Sequence, residues 1–345
     1  MDIVMSAEML NALTRMFIYG GVAFAVSFLT TPVFTYFAYK YKLWKKQREE
    51  DFSGKKLEVF TKLHAYKMKR NIPTMAGLIF VIAITTVTLI FNFSYNTYLP
   101  LAALLLGAIV GFIDDIINLL SDGVGKAGLR PWIKFGLITL AGVVFGWWFY
   151  DFLGVSSVQV PFDGVWELGI WIIPIFAFIV VATGNAVNIT DGLDGLAGGL
   201  LMMSFGAFGI IALMQGNFGI AVFCFTVAGA LLSYLWFNIN PARFFMGDVG
   251  SFALGVSLGV VAMLTNSLFL LPIIGGVFVI ETGSSLIQII SKKFRHGKRV
   301  FKSAPLHHHL EASGWPEPKI TMRFWIIGSV LAIVGIIIAL TGGIV

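Results

Sequence analysis

Residues 99–115 read L-P-L-A-A-L-L-L-G-A-I-V-G-F-I-D-D, an apolar run closed by Asp114 and Asp115. Its length approaches the roughly 17–25 residues that a helix needs to cross the hydrocarbon core of a bilayer. The pattern recurs along the chain. Apolar stretches fall near 16–39, 73–91, 99–113, 131–150, 170–187, 195–214, 218–237, 250–265, 268–290 and 322–343, the third and eighth being the shortest. Composition agrees, because 57% of the 345 residues are hydrophobic and only 12% are charged, where soluble chains carry roughly 25% charged. The expected fold is all-α: a polytopic membrane helical bundle of about ten transmembrane helices, built as one domain over residues 1–345. The stretch from Met1 to Glu8 lacks the basic n-region and small-residue cleavage site of a signal peptide, so the first span is expected to stay in the mature protein. Cys224 is the only cysteine and lies within a span, so no disulfide framework is expected.

With ten spans and an outward N-terminus, the inward segments are 40–72, 114–134, 188–194, 238–249 and 291–323, and both termini lie outside. Every Lys and Arg except Arg15 falls in or beside those segments, and residues 40–70 alone hold eleven basic and four acidic residues. The outward loops carry Asp151, Asp163 and Glu167 instead. By the positive-inside rule the basic segments face the cytoplasm. The net charge of +6 therefore records topology. No nucleic-acid partner is expected, since the basic loops have few aromatics for stacking and contain no recognisable binding module. A transporter or channel would carry ionisable residues along a mid-membrane path, whereas only Glu281 lies deep in a span here.

The chemistry collects at span ends. Asp114 and Asp115 close the third span, Asp191 and Asp194 follow the fifth in N-A-V-N-I-T-D-G-L-D-G, and Asp248 precedes the eighth in F-F-M-G-D-V-G-S. All five fall on the inward side. Adjacent side chains on a helix diverge by about 100°, so Asp114 and Asp115 are expected to have separate partners. Gly192 and Gly195 allow a helix to end there and turn Asp191 and Asp194 towards one ligand. A single boundary aspartate reads most simply as a cap or a solvated end. Five together, with Asn185, Asn188 and Asn238, repel one another unless a cation is present. Hard oxygen ligands without a thiolate cluster favour Mg2+. His307, His308 and His309 raise the rival idea of a zinc or nickel site, but consecutive residues on regular backbone cannot all point at one ion, and holding phosphate or hydroxyl oxygens suits them better. Lys67, Lys69 and Arg70 precede P-T-M-A-G, and Lys126, Arg130 and Lys134 follow the Asp-Asp pair; each reads first as a snorkelling inward cation and second as a phosphate ligand. Glu281, Ser284, Ser285 and Gln288 form a polar stripe in the ninth span that should face the bundle. Within it Glu281 reads as structural, and Gln288 lies near enough to the cytoplasmic end to reach a substrate.

In this order, D-D-x-x-N from Asp114, N-x-x-N-x-T-D-G-L-D-G-L from Asn185, F-M-G-D-V-G-S from Phe245 and A-P-L-H-H-H-L-E-x-x-G-W-P-E-P-K from Ala304 resemble the polyprenyl-phosphate N-acetylhexosamine-1-phosphate transferase superfamily. The resemblance runs from about Pro73 to the C-terminus. The triple histidine, its Gly314-Trp315-Pro316-Glu317 continuation and Arg323-Phe324-Trp325 are most similar to the phospho-N-acetylmuramoyl-pentapeptide branch. It implies Mg2+-dependent transfer of the phospho-sugar from a UDP-N-acetylmuramoyl-pentapeptide donor to undecaprenyl phosphate, giving lipid I and UMP in peptidoglycan synthesis. The implied location is the bacterial inner membrane, with the active site on the cytoplasmic face. The implied partners are the two substrates and membrane lipid, with a homodimer as a candidate assembly. Carried over by motif, Asp248 resembles the principal Mg2+ ligand, with Asp114 and Asp115 beside the metal and the lipid phosphate; Asp114 ranks as positioning or metal-linked first and as a base second. Asn188, Asp191, Gly192, Leu193, Asp194 and Phe245 resemble a uridine pocket. Lys69, Thr74, Asn185, Asn238 and Gln288 line the site by the same resemblance, with Lys67 or Arg70 as alternatives to Lys69. His307 and His308, with His309 after them, resemble the donor's phosphate and sugar side, and Lys134 a lysine of the polar cavity. Two positions depart from the pattern: Ala76 stands where glycine is usual, and Asn118 where the muramoyl branch commonly has lysine. Asn118 follows the wider superfamily, which makes an N-acetylglucosamine-1-phosphate transferase the alternative.

Overall fold

A computed structural model describes residues 7–44, 71–121 and 128–345. The chain forms α1 (Ala7–Lys40), α2 (Gly77–Phe91), α3 (Tyr98–Leu120), α4 (Pro131–Asp151), a hairpin of β1 (Ser157–Val160) and β2 (Gly164–Glu167), α5 (Ile172–Thr190), α6 (Leu196–Met214), α7 (Phe218–Asn238), α8 (Gly247–Leu264), the short α9 (Leu271–Ile274), α10 (Gly276–Phe294), the short α11 (Leu306–Glu311) and α12 (Glu317–Thr341). Among the described residues eight helices are long and apolar enough to cross a membrane. The protein is a polytopic membrane helical bundle. The remaining two expected spans are α2, with 15 residues, and α10, with 19.

Boundaries differ from expectation for local reasons. Residues 73–76 are not helical, because they pair with another loop, and at 1.5 Å per residue α2 is about 23 Å long. The third span does not stop at Asp114: α3 continues to Leu120, so both aspartates are helical residues rather than part of a loop. The ninth expected span is broken at Gly275 between α9 and α10. As its polar stripe requires, α10 buries Glu281, Ser284, Gln288 and Ser291 while Ile280, Ile287 and Ile290 are exposed.

Small residues set how closely the helices cross. In lipid there is little hydrophobic drive between helices, so close backbone packing supplies much of the association energy. A methyl group on Gly229 of α7 would overlap the backbone of Gly20 in α1, and one on Gly111 of α3 would overlap the carbonyl of Asp248 in α8. The second crossing decides the site, since it lays the start of α8 against the last turns of α3. At the opposite end of the bundle the antiparallel hairpin, with Val158 facing Trp166, covers the exits of α8 and α12: Gln159 N donates to Asn266 Oδ1 at 2.9 Å and Phe162 N to the Gly342 carbonyl at 3.0 Å.

Candidate active site

Asp114 and Asp248 meet through Lys134. Pro131 opens α4 at a position where its missing N–H costs nothing, and Lys134 follows within the first turn. Its Nζ donates to Asp248 Oδ2 at 2.6 Å and lies 3.1 Å from Asp114 Oδ2. The three side chains are 17% (Lys134), 16% (Asp248) and 4% (Asp114) exposed. Asp114 is held further by Asn118 Nδ2 at 3.0 Å and by the backbone N–H of Leu129 at 2.8 Å. Gly128, at φ +87°, lets that loop lie directly against Asp114 and Asn118.

Asp115 points elsewhere, as expected for adjacent helical residues. It is buried, and its Oδ2 accepts the backbone N–H of Val249 at 3.1 Å. This carboxylate therefore caps the start of α8 from a neighbouring helix, satisfying one of the N–H groups that a helix start leaves open and matching the positive end of its dipole. The cap fixes Asp248 within the first turn of α8. Gly247, at φ +71°, turns the chain into that helix, and a side chain there would strike Asp115 and Thr74.

The P-T-M-A-G segment is the other wall of this corner. Thr74 N donates to the Leu43 carbonyl at 2.7 Å, Phe245 N to Pro73 at 2.8 Å, Ala76 N to Phe245 at 3.0 Å and Gly77 N to Met246 at 2.9 Å. These bonds hold Met75 at φ +69°, a conformation that a side-chain-bearing residue keeps only when its surroundings impose it. Thr74 is buried and Phe245 half-buried. Lys69, with Lys67 and Arg70, lies outside the described residues.

The 185–195 segment approaches from α5. Asn188 Nδ2 donates to Ser251 Oγ on α8 at 2.9 Å, one turn from Asp248, while Asn185 Nδ2 returns to its own helix at Val181 O. The helix ends at Thr190, and Gly195, at φ +76°, starts the next one, as the glycine spacing predicts. Asp194 is inward-turned and buried: its Oδ2 accepts Asn240 Nδ2 and Ala242 N, both at 3.0 Å, and its own N–H donates to Glu317 Oε1 at 2.7 Å. Asn238, also buried, takes the Gly195 N–H at 2.9 Å and donates to the Phe244 carbonyl at 2.9 Å. Asp194 and Asn238 thus fasten the turn to the 238–245 loop, leaving Asp191 and Gly192 as its half-buried polar face; Leu193 is buried beneath.

The three histidines lie on α11 and have three different partners. His307 Nδ1 meets Glu281 Oε2 at 2.7 Å, His308 Nδ1 meets Glu311 Oε2 at 2.7 Å, and His309 Nδ1 accepts the Lys302 N–H at 3.1 Å. Gln288 is engaged in the same region: its Oε1 accepts the N–H groups of Val300 and Phe301 at 3.0 and 3.1 Å, and Nε2 donates to the Phe301 carbonyl. Sequence reasoning set Glu281 aside as structural and gave Ser251 and Glu317, though within quoted motifs, no role at the site. Their pairings span 26, 63 and 123 positions, and no local pattern marks such pairs.

Among the described residues no group of three or more His, Cys, Asp or Glu side chains converges as a metal site. Two hard carboxylate oxygens, from Asp114 and Asp248, do converge on one cation position, filled here by the Lys134 ammonium. That donor set suits Mg2+, which is commonly bound by one or two carboxylates with the rest of its shell from water and substrate phosphates.

Residues 97–266 match the family described as glycosyl transferase family 4. A protein of Chloroflexus aggregans named phospho-N-acetylmuramoyl-pentapeptide-transferase is 38% identical, the alignment covering 99% of this chain and 94% of the relative. One of Bacillus mycoides with the same name is 39% identical over 92% of this chain and 96% of its own length. Identity of this degree across nearly the whole of both chains leaves no room for a merely shared segment, and the chain belongs to the phospho-N-acetylmuramoyl-pentapeptide-transferase family.

Proposed function

We propose that this protein transfers phospho-N-acetylmuramoyl-pentapeptide from its uridine diphosphate donor to undecaprenyl phosphate, releasing UMP and forming lipid I on the cytoplasmic face of the bacterial inner membrane. The observation that carries the reading is the single ammonium shared by Asp114 and Asp248, on different helices, at the basic end of a membrane bundle. An oxygen of the acceptor phosphate attacks the donor's sugar-bearing phosphorus. The new P–O bond replaces the one to the bridging oxygen, which leaves with UMP.

A phosphate monoester has a second pKa near 6, so the acceptor is mostly dianionic at neutral pH and gains little from a general base. The obstacle is bringing a dianion against a diphosphate. On this reading Asp114 and Asp248 hold Mg2+, which when bound supplies positive charge to the diphosphate and to the departing UMP. Lys134, at the same corner, would offer its ammonium to a phosphate oxygen of the bound substrates. Asp115 keeps α8 in register by its cap. The face formed by Asn188, Asp191, Gly192 and Phe245, buttressed by Leu193, Asp194 and Asn238, takes the uridine. Thr74 and Asn185 line the site, and the 307–309 histidines, with Gln288 bracing the segment before them, take the sugar-phosphate side.

Turnover of two donors tests the reading. The muramoyl-pentapeptide donor should react far faster than UDP-N-acetylglucosamine, because the lactyl-peptide gives binding energy that the smaller sugar lacks. His308→Ala should lower kcat/KM for the larger donor. Equal or better turnover of UDP-N-acetylglucosamine would transfer the assignment to the other branch of the superfamily.

A further inference from the structure

Glu281 on α10 is fully buried, and so is its partner His307 on α11. A carboxylate in such a place is costly unless its oxygens are satisfied. Here they are satisfied by one residue twice over. Oε2 takes the ring Nδ1 at 2.7 Å, and Oε1 takes the backbone N–H of the same histidine at 3.1 Å. An ionised carboxylate can only accept, so the ring proton is held on Nδ1.

The other ring nitrogen behaves differently. His307 Nε2 is buried and has no hydrogen-bond partner. It packs against the backbone at Gly192, where a methyl group would overlap it. A histidine serving only to fill the core would have both nitrogens satisfied, since buried polar atoms nearly always are. One nitrogen clamped and the other buried without a partner, beneath the turn that carries Asp191, is the arrangement expected where an outer carboxylate orients a working imidazole.

We infer that Glu281 is a positioning residue for the transfer reaction: it fixes the ring and tautomer of His307 so that Nε2 is presented, at the Gly192 turn, to a polar oxygen of the bound nucleotide-sugar donor. The inference rests on the reading of the 307–309 segment as part of the donor site. Gly192 has to be a glycine for the same reason, since any side chain there takes the place of the ring edge.

Glu281→Gln tests it. The amide keeps the shape and can still accept the backbone N–H, but it offers its own N–H to Nδ1 and so favours the opposite tautomer. With purified, detergent-solubilised protein, kcat/KM for the muramoyl donor should fall about 10- to 100-fold, while KM for undecaprenyl phosphate and the unfolding temperature stay near wild type. On a His307→Ala background the same substitution should have no further effect. The inference is overturned if Glu281→Gln reduces donor turnover as much without His307 as with it, or if both substrates' KM values and the unfolding temperature move together. If His307→Ala alone leaves donor kinetics at wild type, the donor-site reading fails instead. Should Glu281→Gln not fold, 15N-histidine spectra of the wild type decide: His307 should carry its proton on Nδ1, and Nε2 should shift on addition of the UDP-muramoyl donor. An Nε2 signal that ignores the donor overturns the inference.

Discussion

Lys134→Met removes the one cation that the structure places between Asp114 and Asp248, and its consequences divide by whether Mg2+ is present. At 2.6 and 3.1 Å, each contact corresponds to about 5–6 kcal/mol of bare Coulomb attraction at an effective dielectric near 20. Desolvation offsets most of this, and removing one side of a buried pair costs about 3–5 kcal/mol. With Lys134 and Asp248 each about one-sixth exposed, solvent screening places the expected loss at the lower end, about 3 kcal/mol. Without the ammonium the two carboxylates face one another, and one of them takes up a proton unless another cation is bound. Metal-free protein should therefore unfold at a lower temperature, and Mg2+ should restore more stability to the variant than it adds to the wild type. Turnover behaves oppositely. Loss of a preorganised cation at the phosphates should lower kcat by about 100- to 1,000-fold, while half-saturation by Mg2+ shifts to lower concentration because no ammonium competes for the carboxylates. The assays are UMP release over a Mg2+ titration and thermal unfolding in detergent with and without Mg2+. Wild-type kcat with an unchanged Mg2+ profile would refute the reasoning.

Two further outcomes follow from the packing and the charge pattern. Gly111→Ala forces a methyl group into the Asp248 backbone and should cost about 1–3 kcal/mol together with most of the activity, whereas Gly21→Ala, with open space around it, should be neutral or slightly stabilising; equal behaviour of the two would remove the helix crossing from the account. For the topology, a cysteine at Lys302 should resist an impermeant thiol reagent applied to intact cells and one at Phe162 should react, with buried Cys224 silent in both; the reverse labelling would put the aspartates on the wrong side for a cytosolic donor.

The bundle was readable because a bilayer imposes one requirement, length and apolarity, that eight of the ten expected spans satisfy by themselves. The ends were less so. Asp114 and Asp115 look like the close of a span, yet α3 runs on for more than a turn, since Ile116, Ile117, Leu119 and Leu120 continue the apolar helix past the acidic pair. The divergence of that pair and the helix stop before Gly195 follow from backbone geometry alone and were legible. The joining of Lys134 to Asp248, 114 positions apart, was not: it depends on Gly111 admitting α8, which sequence periodicity does not report. The partner of Glu281, His307, was out of reach for a related reason. As a stripe residue Glu281 reads as a buried polar group, and only the tertiary fold reveals that it holds a histidine.

The account turns on Asp114 and Asp248 forming a cation site for the reaction. Mn2+, an octahedral hard cation that can stand in for Mg2+, reports on this directly by electron paramagnetic resonance of the purified protein. One Mn2+ per chain should bind to the wild type, and Asp248→Asn should lose both this signal and nearly all UMP release while unfolding at a temperature near wild type. Undiminished Mn2+ binding and turnover in Asp248→Asn would contradict it.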